Sequence, residues 1–233
     1  MDFELAERYF GDLPAGSQVA PVQAAASLDR EKRLMFEDRV QMPRVYVAWH
    51  SPAMFTEHDA ELDLLADLMA NGKTSRLYRT LVYEQRLALD VAAFQNSREL
   101  GSFFLLVATA APGKSLTDIA AAIDVELERL ADEGPSDAEM ERARAQTEAH
   151  FMYRIQTVGG FGGKSDQLNA YNVFRGDPAF FAKDLARYRD ATAAGVRDAA
   201  RAYLRFDERV MLSIVPRDRQ ALALSGSELV TVS

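Results

Sequence analysis

The order of strand-like and helix-like segments constrains this chain more than any single motif. Two strand patterns come early, KRLMFED at 32–38 and RVYVAWH at 44–50, and they carry the alternation and the β-branched and aromatic residues typical of strands. Two more, Leu89–Asn96 and Phe103–Ala110, follow a helical interval, and RVMLSIV at 209–215 comes last. Paired strands followed by clustered helices predict an α+β fold of two layers, a mostly antiparallel sheet with helices packed on one face.

Capping residues, glycines and prolines set the predicted helix boundaries. Ser136 and Glu139 have the spacing of a capping box, which begins a long helix that runs to Gln156. The other predicted helices are Asp2–Phe10, a helix capped by Thr56 and ended by Asn71-Gly72, Ser75–Gln85, Leu116–Ala131, Lys164–Phe174, a helix begun by Asp177-Pro178, and a helix capped by Thr192 that runs to Leu204.

Composition excludes several classes of protein. The chain has 233 residues, of which 48% are hydrophobic, enough for a sizeable core. Its net charge of −8 argues against nucleic acid or an anionic membrane as a partner. The absence of cysteine excludes disulfides, a thiol nucleophile and cysteine-based zinc sites. No apolar run is long enough to span a bilayer, and the first residues lack a signal-peptide pattern, so the compartment stays open.

The segment TVGGFGGKSDQLN at 157–169 ends like a phosphate-binding loop. A P-loop requires glycine, four residues and then Gly-Lys-Ser or Gly-Lys-Thr, and it follows a buried strand. Position 158 is valine, and the preceding residues are predicted to be helical. The spacing and the context both argue against a nucleotide site. We instead expect the glycines at 159, 160, 162 and 163 to provide backbone geometry and a possible hinge, with Phe161 as an apolar anchor.

Histidine is a common zinc ligand, so the three histidines of the chain were compared with known zinc motifs. His58-Asp-Ala-Glu61-Leu62 begins like the zinc motif H-x-x-E-H, but leucine stands where the second histidine is required. The interpretation favoured here is a solvated first turn of a helix, where acidic residues interact well with the helix dipole. His50 and His150 are interpreted as surface or satisfied histidines. The residues therefore predict no metal site in this chain.

No other catalytic pattern emerges from the residues alone. The nucleophile elbow G-x-S-x-G is absent. Glu126 with Glu128, and Glu139 with Glu141, are expected to be pairs on the polar faces of helices. Trp49 is expected to lie in the core or an interface rather than to bind a ligand. No catalytic residues are predicted.

Several segments taken together resemble a known family. NGKTSRLYRTLVYEQRLALDV at 71–91 resembles a characteristic segment of the insulinase/pitrilysin (M16) zinc peptidases, which include the mitochondrial processing peptidases. RVYVAWHSPA fits the strand before it, GSFFLLVATAAPGKS fits the strand after it, and GGFGGKSDQLNAYNVFRGDP fits a later helical part. The resemblance runs from about Tyr9 to Pro216, with the segments in the same order.

The resemblance implies a fold and a setting. Each domain of that family is α+β, and two such domains make one half of the molecule. One domain carries H-x-x-E-H, which binds zinc and activates water, and a domain of the opposite half supplies an Arg-x₆-Tyr pair that holds the substrate. By this resemblance we expect residues 1–28 to be a lead-in helix and linker, 29–218 one domain of the C-terminal type, and 219–233 a linker or tail.

The chain departs from the family pattern at its functional positions. It lacks H-x-x-E-H, and the positions of the Arg-x₆-Tyr pair hold Val82 and Leu89. We therefore expect both side chains to be buried, within the domain or against a sibling domain. No substrate-binding residue is predicted, and zinc is expected only in the catalytic domain of a parent protein, for which a bacterial periplasm is one expectation. The expected partners are sibling M16 domains of the same chain or of a paired subunit, and peptide substrate in the full assembly.

The sequence leaves two candidate functions open and makes a third much less favoured. The chain is a scaffold and chamber-wall domain of a zinc endopeptidase, or a free-standing inactive homologue that acts in assembly. An H-x-x-E-H encoded before Met1 favours the first, and its absence favours the second. A metal-independent enzyme built on the glycine-rich loop ranks far below both.

Overall fold

The computed structural model describes residues 2–14, 16–17, 20, 22, 27–159 and 161–231. Within them the strands are β1 (Lys32–Asp38), β2 (Arg44–Ser51), β3 (Ala88–Asn96), β4 (Ser102–Ala110), β5 (Arg209–Pro216) and β6 (Glu228–Leu229). The helices are α1 (Asp2–Phe10), α2 (Asp59–Ala70), a π-helix (Tyr78–Glu84), α3 (Leu116–Glu133), α4 (Asp137–Gln156), α5 (Lys164–Arg175), α6 (Phe181–Asp190), α7 (Ala193–Tyr203) and a short 3-10 turn (Gln220–Leu222).

The strands form one six-stranded sheet in the order β3-β4-β2-β5-β1-β6. The ladders β3–β4, β4–β2 and β2–β5 are antiparallel, whereas β1 pairs with β5 and β6 in parallel. The fold class is therefore α+β with a mixed, mainly antiparallel sheet, as predicted. The five strands found from sequence begin and end within one residue of the predicted limits, because their alternation reflects which face of the sheet is buried.

The core lies between one face of the sheet and the helices. Inward-facing positions of β2 and β4, such as Val47 and Leu106, are fully buried against α2 and α3. Trp49 is 1% exposed and its Nε1 donates to the Arg205 carbonyl oxygen at 2.9 Å, which places it in the core. Alternate residues of each strand point to the opposite face, away from these helices.

Two helix starts differ from their prediction. Thr56 does not cap α2: its hydroxyl donates to the Ala53 carbonyl oxygen, and the helix begins at Asp59 after His58 in the left-handed conformation (φ 66°). Asp177-Pro178 forms a turn, in which the Asp177 carboxylate accepts the Ala179 N–H, and α6 begins only at Phe181. In both cases a side chain bonds the backbone of a turn before the helix, an alternative that these residue types offer.

Helix α4 begins as predicted. The Ser136 side chain accepts the Glu139 N–H, and the Glu139 carboxylate accepts the Ser136 N–H, which completes the capping box. Thr192 likewise accepts the Gly195 N–H and caps α7. The predicted helix Ser75–Gln85 is helical from residue 76, but from Tyr78 it is a π-helix, in which the Gln85 N–H donates to the Thr80 carbonyl oxygen.

Part of the segment after β5 packs against the domain, although a linker or tail is predicted over 219–233. Leu224 is 4% exposed, and its N–H donates to the Ser213 hydroxyl at 3.1 Å. Strand β6 then pairs with β1. The described side chains of α1 are exposed. The division at residues 28 and 218 stays a proposal.

Candidate functional site

A cavity of about 670 Å³ lies between α2, α4, α5 and α6. One wall is a row of carboxylates on α2, Asp59, Asp63 and Asp67. They are spaced four residues apart and therefore lie on one face of the helix. Helix α4 contributes His150 and Arg154 to the opposite wall. We call this cavity the acidic cleft.

Asp59 is the most buried carboxylate of the acidic cleft, with 2% exposure. Its Oδ2 accepts the Phe55 N–H and an Arg187 N–H, both at 2.8 Å, and its Oδ1 accepts the Ser97 hydroxyl at 2.5 Å. These bonds hold the turn before α2, where Phe55 and His58 both have positive φ. The expectation of a solvated first turn is therefore wrong for Asp59, since its carboxylate is a buried junction.

Arg187 extends this junction across the helices. It donates to Asp59 and, through Nη1, to Asp184 Oδ1 at 2.8 Å. Asp184 Oδ2 accepts the Tyr171 hydroxyl, which itself accepts from Gln167 Nε2 at 2.9 Å. Burial, together with the hydrogen bond to Asp184, raises the pKa of Tyr171 above its ordinary value. The network joins α2, α5 and α6, and its hydrogen-bonded groups serve to fix these helices.

Asp63 is a carboxylate of the acidic cleft whose pKa is raised toward neutrality. The Tyr188 hydroxyl donates to its Oδ2 at 2.7 Å. Burial raises the pKa of Asp63 to about 7, assisted by the neighbouring charges of Asp59 and Asp67, despite the hydrogen bond from Tyr188. Burial also raises the pKa of Asp67. Near neutral pH this wall of the cleft can therefore take up or release a proton.

The zinc motif fragment does not fit a metal site. His58 lies before α2, and Leu62, which stands at the second histidine position, is fully buried in the core. The described residues contain no group of three or more histidine, cysteine, aspartate or glutamate side chains placed to hold a metal ion. His58 and Glu61 are too few ligands, because catalytic zinc takes three from the protein and structural zinc four.

The two family positions for substrate binding have different surroundings. Val82 lies on the π-helix and packs, partly buried, against the core. Leu89 lies at a register shift in the β3–β4 pair and is 53% exposed. Neither residue lines the acidic cleft. The expectation of burial within the domain thus fails for Leu89, because the irregular pairing turns its side chain to solvent, and its burial against a sibling domain stays a prediction.

The glycine-rich loop uses its backbone donors internally. The Lys164 N–H donates to the Thr157 carbonyl oxygen at 2.8 Å, and the Ser165 N–H donates to Val158 at 3.1 Å. Gly162 has a positive φ of 76°, and a Cβ on Gly163 would lie 2.7 Å from the Gly159 carbonyl oxygen. These N–H groups are therefore not free to surround a phosphate. Phe161 is fully exposed, and Gly160 lies outside the described residues.

Sequence reasoning missed most of these buried polar groups. Glu126, expected on a polar face, is 7% exposed and accepts the Thr80 hydroxyl at 2.8 Å. The four-residue spacing of Asp59, Asp63 and Asp67 was the available signal for the cleft, since it puts three carboxylates on one face of a largely apolar helix. Nothing in the sequence indicated Arg187 as the partner of Asp59.

Comparison with known proteins identifies the family. The peptidase M16 inactive domain matches residues 3–147, more than half of the chain. This chain belongs to the peptidase M16 inactive-domain family. A zinc protease PqqE from Helicobacter pylori is 24% identical over 165 residues, which cover 69% of this M16 chain and 37% of the relative.

Solved structures show the same fold. A protease from Helicobacter pylori superposes with a TM-score of 0.79 at 21% identity, over 92% of this M16 domain and 52% of that chain. An inactive peptidase domain from Bordetella parapertussis superposes with a TM-score of 0.67 at 27% identity, over 78% of this chain and 95% of that one. The M16 chain thus spans about a third to a half of the two Helicobacter pylori proteins.

One further property concerns membranes. Among the helices that the structure describes, none combines the length and the apolar character needed to cross a bilayer.

Proposed function

We propose that this chain is a scaffold and chamber-wall domain of a larger M16-type zinc endopeptidase. In this role it packs against a catalytic domain that carries H-x-x-E-H and zinc, and it helps to enclose the peptide substrate. Membership of the inactive-domain family supports a non-catalytic role. The surroundings of residues 58–62 support it too. Leu62 stands at the position of the second zinc-binding histidine, and its side chain is buried in the core.

The outer face of the sheet is the observation that carries the proposal. Each strand turns alternate side chains away from the helices, and the central side chains on that face are apolar and partly exposed, with polar residues such as Lys32, Arg44 and His50 at the strand ends. Across five strands they are Leu34, Phe36, Tyr46, Ala48, Phe94, Leu105, Val107, Val210, Leu212 and Ile214. A solvated sheet face normally alternates to polar residues, so an apolar face of this extent fits contact with another domain.

A binding experiment with a face variant tests the proposal. Leu212 lies near the middle of this face, beside Tyr46 and Leu34 on the neighbouring strands. The isolated chain should bind the separately purified catalytic domain of its parent, and Leu212→Lys should weaken binding. Val125→Lys is the matched control, because Val125 is 61% exposed on α3, in the helical layer. Thermal melting of both variants separates a binding defect from unfolding.

The full-length protein provides the second half of the test. Leu212→Lys in the parent should lower peptidase activity, whereas Val125→Lys should leave it unchanged. If the isolated chain does not bind the catalytic domain, or if both variants behave like wild type, the scaffold role is wrong. A parent reading frame without H-x-x-E-H would instead support the free-standing assembly subunit.

A further inference from the structure

A second cavity, of about 540 Å³, lies where the end of α3 and the start of α4 meet the turn after α2. Its charged lining consists of four arginines and two glutamates, Arg76, Arg79, Arg129, Arg142, Glu133 and Glu139. We call it the arginine cavity. An excess of arginine in one concave site is notable in a chain whose net charge is −8.

Arg76 lies at the base of the arginine cavity, with a side chain that is 10% exposed. Its Nε donates to Glu139 Oε1 at 2.7 Å, and its Nη2 donates to Glu139 Oε2 at 2.9 Å and to the Gly134 carbonyl oxygen at 3.0 Å. Its Nη1 is buried and has no hydrogen-bond partner. A guanidinium carries five N–H donors, and a buried donor without an acceptor is destabilising.

Arg142 is the second unsatisfied cation of the arginine cavity. It lies on α4, and its Nη2 is also buried without a hydrogen-bond partner. The other two arginines are held only weakly, since Arg129 pairs with Glu133 and Arg79 with Glu84 between half-exposed side chains. Such surface pairs contribute little and are screened by salt. Both arginines are therefore available to an anion that enters.

The N-terminal end of α4 adds positive electrostatic potential to that of the arginines. This helix has 20 residues, and Ser136 at its N-terminal end lines the arginine cavity. The N-terminal end of a helix carries partial positive charge, which favours anions, and the N–H groups of Asp137 and Ala138 lie outside the capping box that Ser136 forms with Glu139. Arginine guanidinium groups match the planar geometry of paired oxygen acceptors.

We propose that the arginine cavity binds a small oxyanion of the phosphate or carboxylate class. The anion accepts hydrogen bonds from Arg142 and Arg76 and lies against the first turn of α4. Glu139 stays bound to Arg76, because the Arg76 hydrogen bonds lower the pKa of Glu139 to about 2 and keep it ionised. Because Arg76 Nη1 and Arg142 Nη2 are buried, both side chains must turn toward the cavity as the anion binds, and this movement gives the two nitrogens a partner.

Isothermal titration of the whole chain with inorganic phosphate and, separately, with succinate tests the site and distinguishes the two anion classes. Chloride at matched ionic strength is the reference. Arg142→Gln should weaken binding about tenfold or more, the loss expected for a charge-assisted hydrogen bond. Arg217→Gln is the matched control, because it removes the same charge from an exposed residue outside the arginine cavity.

Amide chemical shifts locate the anion independently of the variants. On titration the N–H signals of Asp137, Ala138 and Glu139 and the Nε–H of Arg76 should move together, in wild type and in Arg217→Gln. If neither anion binds better than chloride, the proposal is wrong. Equal weakening by Arg142→Gln and Arg217→Gln, or shifts spread over all exposed arginines, would show general screening and would overturn it as well.

Discussion

At the residue scale, Asp63 links the acidic cleft to pH. Its ordinary pKa is 3.8, and in the folded chain burial raises it to about 7. Between these values the folded state holds a proton that the unfolded chain has released, so stability falls as the pH rises from about 4 to about 7 and stays lower above that range. The effect is limited because Asp63 is partly exposed.

Asp63→Asn should remove this dependence while keeping an oxygen acceptor for Tyr188. We expect the free energy of unfolding at pH 8 to rise by about 1–2 kcal/mol relative to wild type, with little change at pH 4. Urea denaturation at both pH values measures it. Asp132→Asn, at an exposed position, is the control. Parallel stability curves for wild type and Asp63→Asn would contradict the assignment.

Arginine can be introduced both at Val82, which packs against the core, and at Leu89, which is exposed, so the two variants compare the same substitution in different environments. Val82→Arg places a charge against the core and should destabilise the isolated chain by about 2–3 kcal/mol. Leu89→Arg falls on an exposed side chain and should change stability by no more than about 0.5 kcal/mol. Chemical denaturation of both variants gives the comparison. Equal losses would mean that the surroundings described for one of the two residues are wrong.

The same two positions make a prediction about function. In the intact parent, Val82→Arg together with Leu89→Tyr should not raise peptidase turnover, because position 82 packs against the core and does not present its side chain to a substrate. Peptide cleavage by the parent and by this double variant measures it. Higher turnover would show a degenerate substrate site and would count against a scaffold role.

At the scale of elements, the glycine-rich loop is defined by a close approach of two backbone segments. Gly163→Ala would place a Cβ 2.7 Å from the Gly159 carbonyl oxygen, whereas a Cβ on Gly159 has open space around it. We expect Gly163→Ala to destabilise the chain by about 1–2 kcal/mol and Gly159→Ala to be neutral. Thermal melting of the two variants measures this. If they melt alike, a close approach is not what Gly163 provides.

The loop also predicts the outcome of a nucleotide test. Because its Lys164 and Ser165 N–H groups are bonded within the loop, Mg-ATP should not raise the melting temperature. A rise that disappears in Lys164→Ala, and persists in Lys114→Ala as a control, would revive a phosphate-binding function for this element.

At the scale of the whole molecule, the isolated chain should bind no stoichiometric zinc and cleave no peptide. His58 and Glu61 are the two candidate ligands of the motif fragment, and Leu62 is buried beside them. Metal analysis after dialysis, with peptide cleavage assayed in parallel, tests this. Zinc at one equivalent that is lost in His58→Ala, but retained in His50→Ala, would contradict it.

The sequence by itself determined strands β1 to β5, the α+β class and the capping box of α4, whereas β6 lies in a segment predicted to be a linker or tail. These features depend on residues close together in the chain: the alternation of β2 shows its buried face, and Ser136 lies three residues from Glu139. The same local patterns carried the resemblance to M16 peptidases over 71–91, which the family match confirms.

Only the tertiary structure decided which polar side chains are buried and what they bind. Asp59 and Arg187 are 128 residues apart in the chain, and Arg76 and Glu139 are 63 apart. The position of Glu126 on α3 predicts a surface residue, but in the folded chain Thr80 of the π-helix packs beside it and donates a hydrogen bond to its carboxylate. Such pairs form because folding removes a charged or polar group from water and requires a partner, and which partner comes within reach is set by helix packing rather than by local sequence.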